Sequence, residues 1–227
     1  MKRQSKAKAC LIVCDGSISK KLIHSFVQSA SKRTIIPIIS ADGASNTLFK
    51  LKIKPQYIIG DLDSIKFDVF DHYLELGVEI KQVREQEHND FEKAIMFAIS
   101  RKFKKIYVIG FAGKRTDHTL NNFSLLKKYS KKINITYIDD EFEISFARMN
   151  EEFEYQKGEV LSIQGMPAAF GVTTYGLKYP LHNETLEFGK REGALNEAIE
   201  DHIRIEFKKG DLLIFKKHFG NFLLLNS

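Results

Sequence analysis

The chain has 227 residues, 43% hydrophobic and 28% charged, the balance of an ordinary globular protein with room for one large domain or two small ones. Its net charge of +6 is moderate and its lysines lie in scattered pairs such as Lys104-Lys105, Lys127-Lys128 and Lys208-Lys209, which argues against a nucleic-acid surface but suits an anionic substrate. Two cysteines exclude a disulfide framework or a four-cysteine zinc site, and no apolar run approaches the length of a membrane span.

Residues 1–8 are basic, and the apolar stretch after them is too short for a signal core, so 1–6 reads as a frayed tail. Residues 10–14 form a buried-type strand. Cys10 and Cys14 point the same way from it and read as free thiols in a reducing cytoplasm. Residues 21–30 have helical periodicity, with Leu22, Ile23, Phe26 and Val27 on one side. A second strand is expected at 34–39, a short helix at 44–50 and a third strand at 57–59. A helix is expected at 64–76 and a strand at 78–83. Residues 89–102 make the clearest helix, with Phe91, Ala94, Ile95, Ala98 and Ile99 on one stripe. Strands at 106–109 and 135–138 flank a helix at 117–129.

Apolar strands alternating with helices imply an α/β fold, a mostly parallel sheet covered on both faces. The pattern changes near residue 141. Beyond it come short strand-like runs at 144–147, 160–163, 172–175, 185–188, 203–207, 212–215 and 222–225, and no helix of useful length. Ile203-Arg204-Ile205-Glu206-Phe207 alternates as a strand with one wet face does. The expected organisation is an α/β/α domain over 1–140 and an all-β sandwich over 141–227.

Chemistry-bearing residues gather where strands end. Asp15, Asp42, Asp61, Asp63 and Gly110 each follow a strand, which puts them on one edge of a parallel sheet, where open α/β sheets bind ligands. Gly60-Asp61-Leu62-Asp63-Ser64 offers two hard oxygen ligands of the kind magnesium shares with substrate phosphates. Asn89-Asp90-Phe91-Glu92-Lys93 opens the best helix. Either Asn89 or Asp90 caps it, or Asp90 joins the metal carboxylates, with Lys93 on the same side within reach of a phosphate. The stretch from Gly110 to His118 follows a strand and opens a helix. Its glycines let the backbone approach phosphates, and Arg115 suits a phosphate clamp. Asp117 fits a metal ligand, a ribose contact or a helix cap, and His118 an acid–base or a structural role. Seven dispersed histidines show no zinc spacing. Together these residues suit magnesium-assisted phosphoryl transfer.

With these residues assembled, the chain resembles the thiamine pyrophosphokinases. Four stretches carry the likeness: Ala41-Asp42-Gly43-Ala44-Ser45-Asn46, Gly60-Asp61-Leu62-Asp63-Ser64, Glu85 to Ala94, and Gly113-Lys114-Arg115-Thr116-Asp117-His118. In the second half, Gly176-Leu177-Lys178-Tyr179-Pro180-Leu181 is similar to bacterial members. The resemblance spans nearly the whole chain. It implies transfer of pyrophosphate from ATP to the hydroxyl of thiamine, giving thiamine diphosphate and AMP, in a homodimer with active sites at the interface. It makes Asp42, Asp61, Asp63 and Asp90 the magnesium cluster. Gly43, Lys93, Gly110, Gly113, Arg115, Asp117 and His118 would meet ATP, and Gln86 and Asn196 would meet thiamine. The β-sandwich would contribute to thiamine binding and to dimerisation.

Three departures from the family pattern stand out. Asn89 replaces a threonine, Lys114 replaces the second glycine of a Gly-Gly-Arg, and Ala194-Leu195 precedes Asn196 where Thr-Ser is usual. With no tryptophan in the chain, Tyr175 and Tyr179 are the aromatic candidates for a thiamine wall. Two other functions use the same residues: a magnesium-dependent nucleotide hydrolase, and a non-catalytic sensor of thiamine or its diphosphate.

Overall fold

The computed structural model describes residues 8–31 and 36–218. The expected tail at 1–6, the start of the strand expected at 34–39 and the run at 222–225 lie outside them. Among the described residues the chain divides into two compact units between Asp140 and Glu141.

The first unit alternates strand and helix: β1 (Ala9–Val13), α1 (Lys20–Ser31), β2 (Ile38–Ala41), α2 (Ala44–Lys50), β3 (Tyr57–Gly60), α3 (Phe67–Glu75), β4 (Glu79–Gln82), α4 (Asp90–Ser100), β5 (Lys105–Ile109), α5 (Thr116–Ser130) and β6 (Asn134–Ile138). The strands order as β4-β3-β2-β1-β5-β6, and every pair is parallel. Strand alternation sorts the core into two layers. Leu11, Val13, Tyr107 and Ile109 pack with Leu22, Ile23 and Phe26 of α1 and Leu48 of α2. On the opposite face Tyr137 of β6 meets Phe91 of α4 and Phe123 of α5. Helices therefore cover both faces, and β1 to β3, β5 and β6 are buried almost throughout. β4 forms the exposed edge, and its Glu79, Lys81 and Gln82 blunt it against pairing with another chain. The strand order reverses at β1, between β2 and β5, which opens a crevice at the carboxyl ends of the strands.

α3 begins at Phe67, three residues later than its periodicity suggests. The backbone before it is committed elsewhere. The Ser64 N–H donates to Asp42 Oδ2 (3.1 Å) and the Lys66 N–H to Asn46 Oδ1 (2.9 Å), while Asn46 Nδ2 donates to the Ser64 carbonyl (2.8 Å). Residues 61–66 are held as a loop beside the site.

In the second unit the described residues form strands and no helix: β7 (Phe142–Phe146), β8 (Asn150–Glu154), β9 (Val160–Tyr175), β10 (Glu184–Glu187), β11 (Gly193–Glu197), β12 (His202–Glu206) and β13 (Lys209–Lys217). β9 is the spine. β13 and then β12 pair along one of its edges, β11 and β10 along the other, all antiparallel. β9 passes from one sheet into another, and Leu161, Ile163, Leu186, Ile203, Ile205, Leu212 and Ile214 meet in the core of the resulting sandwich. The runs 160–163 and 172–175 are thus one strand. Its middle, Gln164 to Gly171, hid the strand because Gly165, Pro167 and Gly171 interrupt the β-branched and aromatic pattern that marks one. A Cβ on Gly165 would lie 2.1 Å from the Leu186 carbonyl oxygen, so close backbone approach excludes the side chains that mark a strand. β8 (NEEFE) escaped periodicity because it is mostly polar, and β11 (GALNE) because it sets small and polar residues around a single leucine; both are partly exposed. No helix among the described residues is long and apolar enough to cross a membrane.

Candidate active site

Three carboxylates converge at the carboxyl edge of the first unit's sheet. Asp42 follows β2, Asp61 follows β3 and Asp90 opens α4, and their oxygens lie within 4.8 Å of one another. Gly60 makes this convergence possible, since a Cβ there would sit 2.6 Å from the Asp42 Cβ and 3.1 Å from Asp90 Oδ1.

Asp42 is the innermost. It is 1% exposed, and its backbone takes a φ of 33°, which a non-glycine residue adopts only under constraint. Oδ2 accepts the Ser64 N–H, and Oδ1 is buried with no hydrogen-bond partner among the described residues. Burial pushes its pKa up to about 6, the charges of Asp90, Asp61 and Asp63 add to the rise, and the Ser64 N–H opposes it. Asp90 is also raised, first by burial, although Lys93 opposes the shift. Lys93 lies one turn along α4 with its side chain 3% exposed, and its Nζ is 3.2 Å from Asp90 Oδ1. In Asp61, burial raises the pKa, but the Asp63 N–H, the Gln86 amide and the Lys93 charge together hold it below the usual range.

Asn89 settles the double reading of the helix start. Its Oδ1 accepts the Glu92 N–H at 2.8 Å, so Asn89 is the cap. The Asp90 carboxylate is left to accept the Asp61 N–H (3.3 Å) and to face the cluster. Asp63 stands outside the convergent trio. It is exposed, and its Oδ1 accepts the Ser64 hydroxyl at 2.8 Å.

A cavity of about 220 Å³ lies against this edge, lined in part by Asp15, Gly43, Asp90, Gly110, Gly113, Arg115 and His118. The loop after β5 forms one wall, anchored by the buried Asn122, whose Nδ2 donates to the Phe111 carbonyl at 2.7 Å. Arg115 and Asp117 pair through two hydrogen bonds, Nε to Oδ1 at 3.1 Å and Nη2 to Oδ2 at 2.5 Å. The Arg115 guanidinium holds the Asp117 carboxyl down to about 2. His118, in the first turn of α5, is exposed. Gln86 donates to Asp61 Oδ2 at 3.3 Å, and Gln82 to the Asp61 carbonyl at 2.9 Å. Sequence reasoning missed Gln82 and Asn122. Gln82 carries no local signal, whereas Asn122 is a buried polar residue on the covered side of α5.

Two family models match the chain. Thiamin pyrophosphokinase, catalytic domain, matches residues 26–137, and Thiamin pyrophosphokinase, vitamin B1 binding domain, matches 148–212. The chain belongs to the thiamin pyrophosphokinase family. It is 29% identical over 184 residues to thiamine pyrophosphokinase of Bacillus subtilis, covering 78% of this chain and 86% of that one. It is 27% identical over 196 residues to thiamine pyrophosphokinase 1 of rice (Oryza sativa), covering 74% of each. The crystal structure of the Bacillus subtilis thiamine pyrophosphokinase superposes with a TM-score of 0.78 at 25% identity, over 93% of this chain and all (100%) of that one. The yeast thiamin pyrophosphokinase shares the fold at a TM-score of 0.80 and 18% identity, over 99% and 90%.

The part that matches the family's vitamin B1 domain contains Asn196, which is 4% exposed in β11. Its amide ties down neighbouring backbone: Oδ1 accepts the Tyr179 N–H (3.0 Å) and the Glu197 N–H (2.9 Å), and Nδ2 donates to the Tyr179 carbonyl (2.8 Å). Asn196 therefore pins the segment carrying Tyr179, a residue 62% exposed. Leu195, beside it, takes a φ of 56° and is 78% exposed. Tyr175 is half-exposed against the Arg204 guanidinium, 3.9 Å from its ring centroid.

Proposed function

We propose that the chain binds Mg–ATP in the crevice of the first unit and transfers its pyrophosphoryl group to the hydroxyl of thiamine, giving thiamine diphosphate and AMP. Membership of the family makes it an enzyme that forms thiamine diphosphate, and the geometry of the crevice supports the roles given to its parts. One observation carries it: the buried Asp42 Oδ1 without a hydrogen-bond partner among the described residues, facing two further carboxylates. An unpartnered buried carboxylate oxygen is costly, and hard oxygen donors clustered this closely fit a divalent cation. Asp42, Asp61 and Asp90 would hold Mg²⁺, with Asp63 beside them. Bound there, Mg²⁺ would bring the nucleotide phosphates to the carboxylates and offset charge in the transition state.

The chain's own groups do the rest. Lys93 neutralises Asp90 from within the fold and adds positive potential under the phosphates. Asp117 fixes the Arg115 guanidinium in one plane, presenting it to the phosphate oxygens. Gly43, Gly110 and Gly113 let backbone come close to the nucleotide, and His118 borders it. Gln86 and Asn196 form the thiamine side, Gln86 beside Asp61 and Asn196 through the segment it pins. We place the enzyme in the cytoplasm as a homodimer with interface sites, a reading supported by the unpaired Cys10 and Cys14 and by the family likeness.

The test is chromatographic assay with ATP, Mg²⁺ and thiamine, following AMP and thiamine diphosphate together. Matched, chelator-sensitive formation of both is expected from wild type. Asp61→Asn is expected to lower turnover by about a thousandfold or more with the melting curve retained. Wild-type turnover by Asp61→Asn would sink the metal assignment, and AMP without thiamine diphosphate would point to hydrolysis.

A further inference from the structure

Lys114 sits at the centre of the turn that closes the cavity beyond β5. Its φ of 52° lies in the left-handed region, and the Arg115 N–H donates to the Gly113 carbonyl at 2.6 Å, so the turn spans three residues. The conformation directs Nζ to Asp15 Oδ1, 2.7 Å away across the crevice end of β1. Backbone bonds hold the two loops together at this point: the Gly16 N–H donates to the Gly110 carbonyl (2.9 Å) and the Ser17 N–H to the Ala112 carbonyl (2.7 Å). Lys114 and Asp15 both line the cavity.

The basic residues of the site are held with different firmness. Lys93 is buried against Asp90, and Arg115 is bound twice by Asp117. The Lys114–Asp15 pair is a single contact between side chains 52% and 49% exposed, without the second hydrogen bond that holds the equally wet Arg115 pair, and such an exposed ion pair is weak. A polyphosphate brings several negative oxygens where Asp15 offers one carboxylate, so it outcompetes Asp15 for the ammonium. Release also costs little elsewhere, because Asp15 keeps its contact with water.

On the Mg–ATP reading of the same cavity, we propose that Lys114 is a polyphosphate-binding residue held in reserve by Asp15, and that Asp15 thereby sets nucleotide affinity. When the nucleotide binds, the ammonium leaves Asp15 for the phosphates. Asp15 acts through Lys114 and is a positioning residue.

The experiment is calorimetric titration of a non-hydrolysable ATP analogue with Mg²⁺ into wild type, Lys114→Gln, Asp15→Asn and the double variant. Glutamine keeps most of the stem at the strained position and removes the charge. Lys114→Gln is expected to bind about fivefold more weakly, and Asp15→Asn about threefold more tightly. The double variant is expected to match Lys114→Gln, because Asp15 has nothing left to restrain. Both differences shrink as salt is raised, and the KM for thiamine stays at its wild-type value. Unchanged binding by Lys114→Gln overturns the proposal. So does equal tightening by Asp15→Asn in the Lys114→Gln background, which would make Asp15 a direct repeller of phosphate. These outcomes leave the pyrophosphokinase reading intact, whereas a wild type that binds no nucleotide overturns both.

Discussion

Asp42 shows how a functional residue burdens its own fold. Its carboxylate is buried, one oxygen lacks a partner among the described residues, and like charges surround it. Its native pKa of about 6 lies above the ordinary 3.8, so the native state binds the proton first. The destabilisation is therefore full above about pH 6 and is relieved as pH falls toward 3.8. Asp42→Asn is expected to raise the stability of the metal-free protein well above pH 6 by about 1–2 kcal/mol, with the gain fading as the pH is lowered. Melts with chelator across pH would show it. The same variant should lose the Mg²⁺-dependent rise in Tm expected of wild type. A variant no more stable than wild type in chelator would mean that Asp42 finds its relief within the protein.

At the scale of elements, α4 links the site to the scaffold. Its N-terminus carries Asp90 and Lys93 to the cluster, and Glu92 between them faces away and ties α4 to α5. Glu92 Oε1 accepts Lys128 Nζ at 2.6 Å and the Tyr129 hydroxyl at 2.7 Å. Burial raises the Glu92 pKa, but these partners outweigh it and hold the carboxyl below its ordinary 4.5. With the native pKa depressed, the stabilisation is complete above about pH 4.5 and is lost as pH falls through the native value. Glu92→Gln is expected to cost about 1–2 kcal/mol near neutrality, and the gap to wild type should close in acid. Urea unfolding at several pH values measures this, and a pH-independent gap would assign the loss to packing. The wall loop is tied in the same manner, through Asn122 and the Tyr137 hydroxyl, which donates to the Asn122 carbonyl at 2.5 Å.

At the scale of the whole molecule, the proposed machinery divides between the two units. The carboxylates and the phosphate loop belong to residues 1–140, and Asn196 with Tyr179 to the β unit. If the sites form at a homodimer interface, inactive chains can complement one another. Asp61→Asn mixed with Asn196→Ala after reversible dissociation is expected to recover about a quarter of wild-type activity, since half the dimers then hold one intact site of two. Sedimentation velocity checks that both variants remain dimers. No recovery from stable, exchanging dimers would confine each site to one chain.

Local pattern determined much of this protein. Apolar strands alternating with helices specified a parallel sheet with both faces covered. Asp and Gly just after those strands marked the crevice edge, because a strand's end and its direction are both properties of neighbouring residues. Periodicity reports which way a side chain points from its own element. It carries no sheet order, and contacts across the sheet depend on that order. Only the placing of β1 between β2 and β5 brings Asp15 within 2.7 Å of Lys114, 99 residues along the chain. Only the close approach at Gly60 decides that Asp42, Asp61 and Asp90 share one space, and only the cap at Asn89 leaves Asp90 free to join them. β9 teaches the same lesson in reverse: Gly165 looks like a break because the backbone it accommodates belongs to another strand, β10.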